Sequence, residues 1–87
     1  MTKEEVVAKI AKEIITIDDG INIKDVTPGK FLTFDLGLDS LDVAELVVKM
    51  EATCDVRLPE GEMDHVHTVG NLADSLCRQM EKKEKTK

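Results

Sequence analysis

Apolar residues recur along this chain mostly at helical spacing. In residues 2–17, Val6, Val7, Ile10, Ile14 and Ile17 are separated by Lys and Glu, which predicts an amphipathic helix. Thr2 is placed to cap it, Glu5 stands three residues on as in a capping box, and Asp18-Asp19-Gly20 stops it. A second helix is predicted over residues 40–54. Leu41, Ala44, Val47, Val48 and Glu51 fall on neighbouring turns, Leu46, Met50 and Cys54 widen the apolar side, and Asp42, Glu45, Lys49 and Thr53 mark the exposed side. "RLPEGE" then breaks the chain, with Pro59 placed to start a short helical turn over residues 60–64. The last helix is expected to begin near Thr68, a cap with Asn71 at the third helical position. Its apolar face is Val69, Leu72, Ala73, Leu76, Cys77 and Met80, and Gly70 weakens it slightly.

Between the first two helices lies a loop, residues 18–38. Ile21 and Ile23 alternate briefly, but "DVTPGK" and "DLGLD" carry turn chemistry. A loop this long in a small domain signals function or packing by its own side chains. Val26, Phe31, Phe34, Leu36 and Leu38 are the expected pins onto the core. The predicted architecture is all-α: a small four-helix bundle of three main helices and one short one, with a long first loop. It fills residues 1–80, and the charged run "EKKEKTK" at 81–87 reads as a disordered tail. There is no internal repeat.

Composition narrows the picture. A chain of 87 residues suits one small domain. Phe31 and Phe34 are its only aromatics, so the core must be aliphatic, and such a core repacks readily if something has to enter it. Cys54 and Cys77 make no disulfide framework and read as thiols in a reducing cytoplasm. No apolar run approaches the roughly 20 residues a bilayer requires. The start "MTKEEVVAKI" lacks the apolar stretch of a signal peptide, so a cytoplasmic location is expected.

Charge placement says more than charge size. Residues 39–64 hold eight acids (Asp39, Asp42, Glu45, Glu51, Asp55, Glu60, Glu62, Asp64) and two bases (Lys49, Arg57), which is the whole net charge of −6. Such a surface disfavours nucleic acid and anionic membranes and favours a basic protein partner.

Ser40 sits where the acidic segment meets the second helix. In one reading Ser40 is the cap. In the other Asp39 caps, with Asp42 as the reciprocal partner, and Ser40 becomes the first helical residue with a free hydroxyl. A phosphate ester there would lie over unpaired N–H donors and the positive end of the helix dipole. Gly37 would keep the approach to the serine uncrowded. The residues alone leave both readings open. Hydrolase chemistry is not supported: no G-x-S-x-G elbow is present, and His65 and His67 have no orienting carboxylate. Cys54, His65, His67 and Cys77 lack the paired spacing of a zinc site, and "DDGINIKD" lacks the order of a calcium loop, so no metal is expected.

The run "DLGLDSLDVAELV", followed by "RLPEGEMDHVHTVGNL", resembles the acyl carrier proteins of fatty acid and polyketide synthesis over nearly the whole chain. Asp39-Ser40-Leu41 is similar to the family's Asp-Ser-Leu motif, "DVTP" to its first loop, and "LPEGE" and "TVGNL" to the starts of its third and fourth helices. The resemblance implies 4′-phosphopantetheine on Ser40, flanked by Asp39 and Leu41, installed by a phosphopantetheinyl transferase from coenzyme A with magnesium. It implies no catalysis by the chain itself. It further implies acyl cargo held as a thioester, sequestered between the helices and delivered by a monomer to enzymes of fatty acid, lipid or polyketide synthesis. Asp39, Asp42, Glu45 and Glu51 would dock basic patches on those enzymes. Ala52, Thr53, Cys54, His65 and the lysine-rich tail depart from the pattern. A specialised carrier, an amino-acid carrier or an unloaded helical interaction module therefore stay open as alternatives.

Overall fold

A computed structural model describes residues 1–85 of the chain. Three α-helices, α1 (Lys3–Ile17), α2 (Ser40–Cys54) and α3 (Val69–Lys85), are joined by irregular connections. These carry a short 3₁₀ turn at Ile23–Asp25 and a six-residue 3₁₀ helix at Glu60–His65. This is the expected all-α bundle. The short element is 3₁₀ in hydrogen bonding and runs one residue beyond its predicted end.

Each helix starts where its local chemistry dictates. Thr2 accepts from the Glu5 amide at 3.2 Å and the Glu5 carboxylate accepts from the Thr2 amide at 3.1 Å, closing the capping box of α1. At α3, Thr68 Oγ1 accepts from the Asn71 amide at 3.0 Å while Asn71 Oδ1 accepts from the Thr68 amide at 3.0 Å. Caps of this kind contribute about 1 kcal/mol each.

The core is aliphatic. Val6, Ile10 and Ile14 of α1, Leu46 and Met50 of α2, and Val69, Leu72 and Leu76 of α3 are wholly removed from solvent. Each such side chain contributes roughly 1.5–3 kcal/mol through loss of apolar surface from water. α1 packs against both other helices, and Lys3 bridges to Asp74 at 2.9 Å.

The long loop attaches differently from its prediction. Val26, Leu36 and Leu38 are buried as expected, but Phe31 and Phe34 are 46% and 88% exposed. Leu32, 1% exposed, fills the inward position instead. The reason is backbone pairing. Phe31 and Thr68 form an isolated antiparallel bridge, with the Leu32 amide donating to the His67 carbonyl at 2.9 Å and the Val69 amide to Lys30 at 3.0 Å. Extended backbone alternates its side chains, so fixing Leu32 inward turns Phe31 outward.

The acidic connection after α2 is held from two sides. The Glu51 carboxylate accepts from the Leu58 amide at 2.7 Å. Arg78 of α3 pairs with Glu62 and donates to Ser75 Oγ at 3.2 Å. The Arg78 guanidinium, and then the Ser75 hydroxyl, hold the Glu62 carboxyl below its ordinary value. A depressed carboxyl stabilises the fold fully above its unfolded value of 4.5, and that contribution fades as pH falls through the lower folded value. Denaturant midpoints of wild type and Arg78→Ala should therefore differ by a constant amount above about pH 5 and converge below it. A gap that persists at pH 3 would contradict the pair.

The charged end is not all tail. α3 continues through Lys85, and Lys83 donates to the Asp55 carbonyl at 2.8 Å and pairs with the Asp55 carboxylate. Asp55 caps α2 in the left-handed region, φ 54°. The domain end expected at residue 80 thus falls inside a helix. Residues 86–87 of the expected tail lie outside the described residues.

Candidate functional site

The site begins with the chain's turn into α2. The loop from Phe31 to Leu38 closes on itself: the Leu36 amide donates to the Phe31 carbonyl at 3.1 Å, the Gly37 amide to Thr33 at 3.0 Å and the Leu38 amide to Leu32 at 3.0 Å. Gly37 sits at φ +74° in open space, with nothing within 4 Å of where a Cβ would stand. Glycine is therefore required here by backbone conformation, rather than by crowding near the serine. Gly37→Ala should cost about 1–2 kcal/mol, the left-handed penalty alone, read as a lower denaturant midpoint at unchanged slope.

Asp39 is the N-cap of α2. Its Oδ1 accepts from the Asp42 amide at 2.8 Å, and Asp42 Oδ2 accepts from the Asp39 amide at 3.2 Å. This closes one of the two alternatives the residues left open: Asp39 caps, and Ser40 is the first helical residue. The Ser40 side chain is exposed and its hydroxyl bonds to no group among the described residues. The reciprocal box satisfies the amides of Asp39 and Asp42. Those of Ser40 and Leu41, in the first turn, are left facing outward at the positive end of the helix. This arrangement fits a phosphodiester on the serine oxygen: an accessible hydroxyl, two open donors and a favourable dipole. The Asp39 and Asp42 carboxylates oppose it in part.

The outward face of α2 differs from its prediction. Val43, Leu46, Val47, Met50 and Cys54 point to the core or its rim, and Asp42 and Lys49 are half-buried. Leu41 and Val48, 78% and 64% exposed, look outward with Ala44 and Glu45. The exposed side is thus an apolar strip with acids at its edge. Glu45 lies 3.6 Å from Lys49, which also approaches Glu13 at 3.9 Å. Glu51, expected among the docking acids, is half-buried and engaged by Leu58. Glu45–Lys49 is a helical neighbour pair, but the pairings of Lys49 with Glu13, Glu62 with Arg78 and Asp55 with Lys83 could not be read from sequence, because partners 16 to 36 residues apart meet only in the fold.

Burial pushes both cysteine thiols above their ordinary value, so neither is an activated nucleophile. Among the described residues no three His, Cys, Asp or Glu side chains gather as metal ligands, and no helix is long and apolar enough to cross a membrane.

Residues 5–76 match the family described as phosphopantetheine attachment site. The acyl carrier protein of Acidothermus cellulolyticus is 42% identical over 88% of this chain and 90% of its own length. The chain belongs to the acyl carrier protein family. The meromycolate extension acyl carrier protein of Mycobacterium leprae is 38% identical over 83% of this chain and 62% of its own length. The solved structure of the acyl carrier protein from Enterococcus faecalis superimposes with a TM-score of 0.74 at 32% identity, covering 91% of this chain and 99% of that one. Members of this family are carriers rather than enzymes, and their cofactor is 4′-phosphopantetheine.

Proposed function

We propose that Ser40 bears the 4′-phosphopantetheine and that the chain carries acyl groups between biosynthetic enzymes, with no catalysis of its own. The carrying observation is the division of labour at α2: Asp39 takes the cap, which leaves the Ser40 hydroxyl exposed beside two open amides. When bound, the group supplies a terminal thiol that holds the cargo as a thioester. The chain's own residues orient the attachment point and present it at the tip of a rigid helix.

Asp39, Asp42 and Glu45 border the apolar strip of α2 and complement basic enzymes in charge. Glu51 stands behind them, its carboxylate already spent on Leu58. The completely buried Ile10, Leu46, Met50 and Leu76 mean that cargo entering the bundle must displace packed aliphatic side chains, which a core without aromatics allows. Fatty acid, lipid or polyketide synthesis is the setting that the family suggests, a net charge of −6 favours a monomer, and its free thiols suit a reducing cytoplasm.

Incubating the apo chain with coenzyme A, magnesium and a broad phosphopantetheinyl transferase should add one phosphopantetheine, located at Ser40 by fragment mass spectrometry. A chain left unmodified while a control carrier is loaded would instead favour the unloaded interaction module. Cargo released from protein purified from its native cell identifies the pathway.

A further inference from the structure

Of the large hydrophobic side chains exposed among the described residues, Phe34 stands furthest into solvent, at 88% exposure, on the loop that delivers Ser40. This loop is not loose. Leu32, Leu36 and Leu38 anchor it in the core. Four backbone bonds at 3.0–3.1 Å and the Asp35 carboxylate, accepting from the Phe31 amide at 2.8 Å, fix its course. With three leucines taking the inward positions, Phe34 is held in water by a framework already ordered.

Phe34 stands six residues before Ser40 in a chain that doubles back on itself, so it lies within roughly 20 Å of the hydroxyl. A partner's footprint of about 800 Å² centred near Ser40 extends over much of that distance. Leu41, Ala44 and Val48 supply further exposed apolar ground on α2, and the acids Asp35, Asp39 and Glu45 are exposed alongside. A large aromatic on a rigid support, set among acids, has the composition of a binding hot spot rather than of a solvated loop.

We propose that Phe34 is the apolar anchor of the docking surface around Ser40, seated in an apolar pocket with a basic rim on the phosphopantetheinyl transferase. The charge argues for the rim, because the chain's entire net charge of −6 begins at Asp39 beside the acceptor. Order in the loop argues for an anchor, because little freedom is lost when a pre-set side chain is covered. The inference rests on the reading of Ser40 as the attachment site. Phe34 touches no reacting atom; it is a positioning residue for the partner.

The test is the steady-state loading rate at varied carrier concentration, with coenzyme A and magnesium saturating, for wild type, Phe34→Ala and Phe34→Leu. Phe34→Ala should raise the KM for the carrier about tenfold or more at nearly constant kcat, and Phe34→Leu should recover most of the loss. Melting temperatures should stay together, since the ring packs against little. Equal KM values for wild type and Phe34→Ala overturn the anchor while leaving the attachment site standing. A kcat that falls together with the melting temperature also overturns it, by showing a structural ring. So does a doubled light-scattering mass abolished by Phe34→Ala, which assigns the ring to a second copy of the chain. A wild type that is never loaded overturns the attachment reading, and the anchor with it.

Discussion

Ser40→Ala should abolish phosphopantetheine loading completely while leaving the fold intact. The two halves of this result have separate causes. Loading fails because the alcohol oxygen that would carry the ester is gone, and no neighbour replaces it: Asp39 and Asp42 are already committed to each other's amides. The fold survives because Ser40 is exposed, caps nothing and occupies a helical position that alanine accepts at least as well. Its stability should lie within about 0.5 kcal/mol of wild type. Asp39→Ala supplies the contrast, since losing a cap costs about 1 kcal/mol. Intact mass after incubation with coenzyme A, together with denaturant midpoints for both variants, checks the pair. A Ser40→Ala variant destabilised as much as Asp39→Ala would return the capping role to the serine.

The second large effect is expected at Gly70→Val. Gly70 lies in the first turn of α3, and its amide donates to the Pro28 carbonyl at 2.8 Å. A Cβ there would stand 2.9 Å from that same oxygen and 3.4 Å from the Pro28 Cβ. The obstacle is backbone and cannot rotate away, so the loop must move. Overpacking of this kind costs typically 1–3 kcal/mol, and losing the Gly70–Pro28 hydrogen bond adds about 1 kcal/mol. Valine's small propensity advantage over glycine does not offset this. A total near 3 kcal/mol would lower the melting temperature by roughly 12–24 °C in a domain of this size. Loading of Ser40 should fall with it near the new midpoint, because the displaced segment belongs to the loop that leads to the serine. A valine variant as stable as wild type would show that the loop yields without cost.

Gly70 also shows where local reasoning misjudges. By helix propensity it weakens α3, whereas in the fold it lets two backbones meet. Phe31 and Phe34 are expected as pins of the loop beside Leu36 and Leu38, but Leu32 takes the inward place and both rings stay exposed. In α2, Leu41, Val43, Ala44, Leu46, Val47, Val48 and Met50 cover most of the circumference. An apolar arc wider than one packing face can bury does not show by periodicity alone which of its edges stays outside. Only packing against α1 and α3 assigned Leu46, Val47 and Met50 to the core and left Leu41, Ala44 and Val48 outside.

What the amino-acid order determined by itself is local. Thr2 with Glu5 and Thr68 with Asn71 close their capping boxes between residues three apart, so those two helix starts could be read from sequence, whereas at α2 the residues offered both Ser40 and Asp39 as the cap and the structure chose Asp39. The gathering of the whole net charge in residues 39–64 is likewise a property of order alone. Tertiary structure decided how those groups are used. It engaged Glu51 with Leu58, Glu62 with Arg78 and Asp55 with Lys83, extended α3 to Lys85, and turned Phe34 to solvent on the approach to Ser40. The physical reason is reach. A cap or a turn is settled within a few residues, whereas the inward face of a loop or of a helix with a broad apolar arc is a competition for core volume that only the packed neighbours resolve.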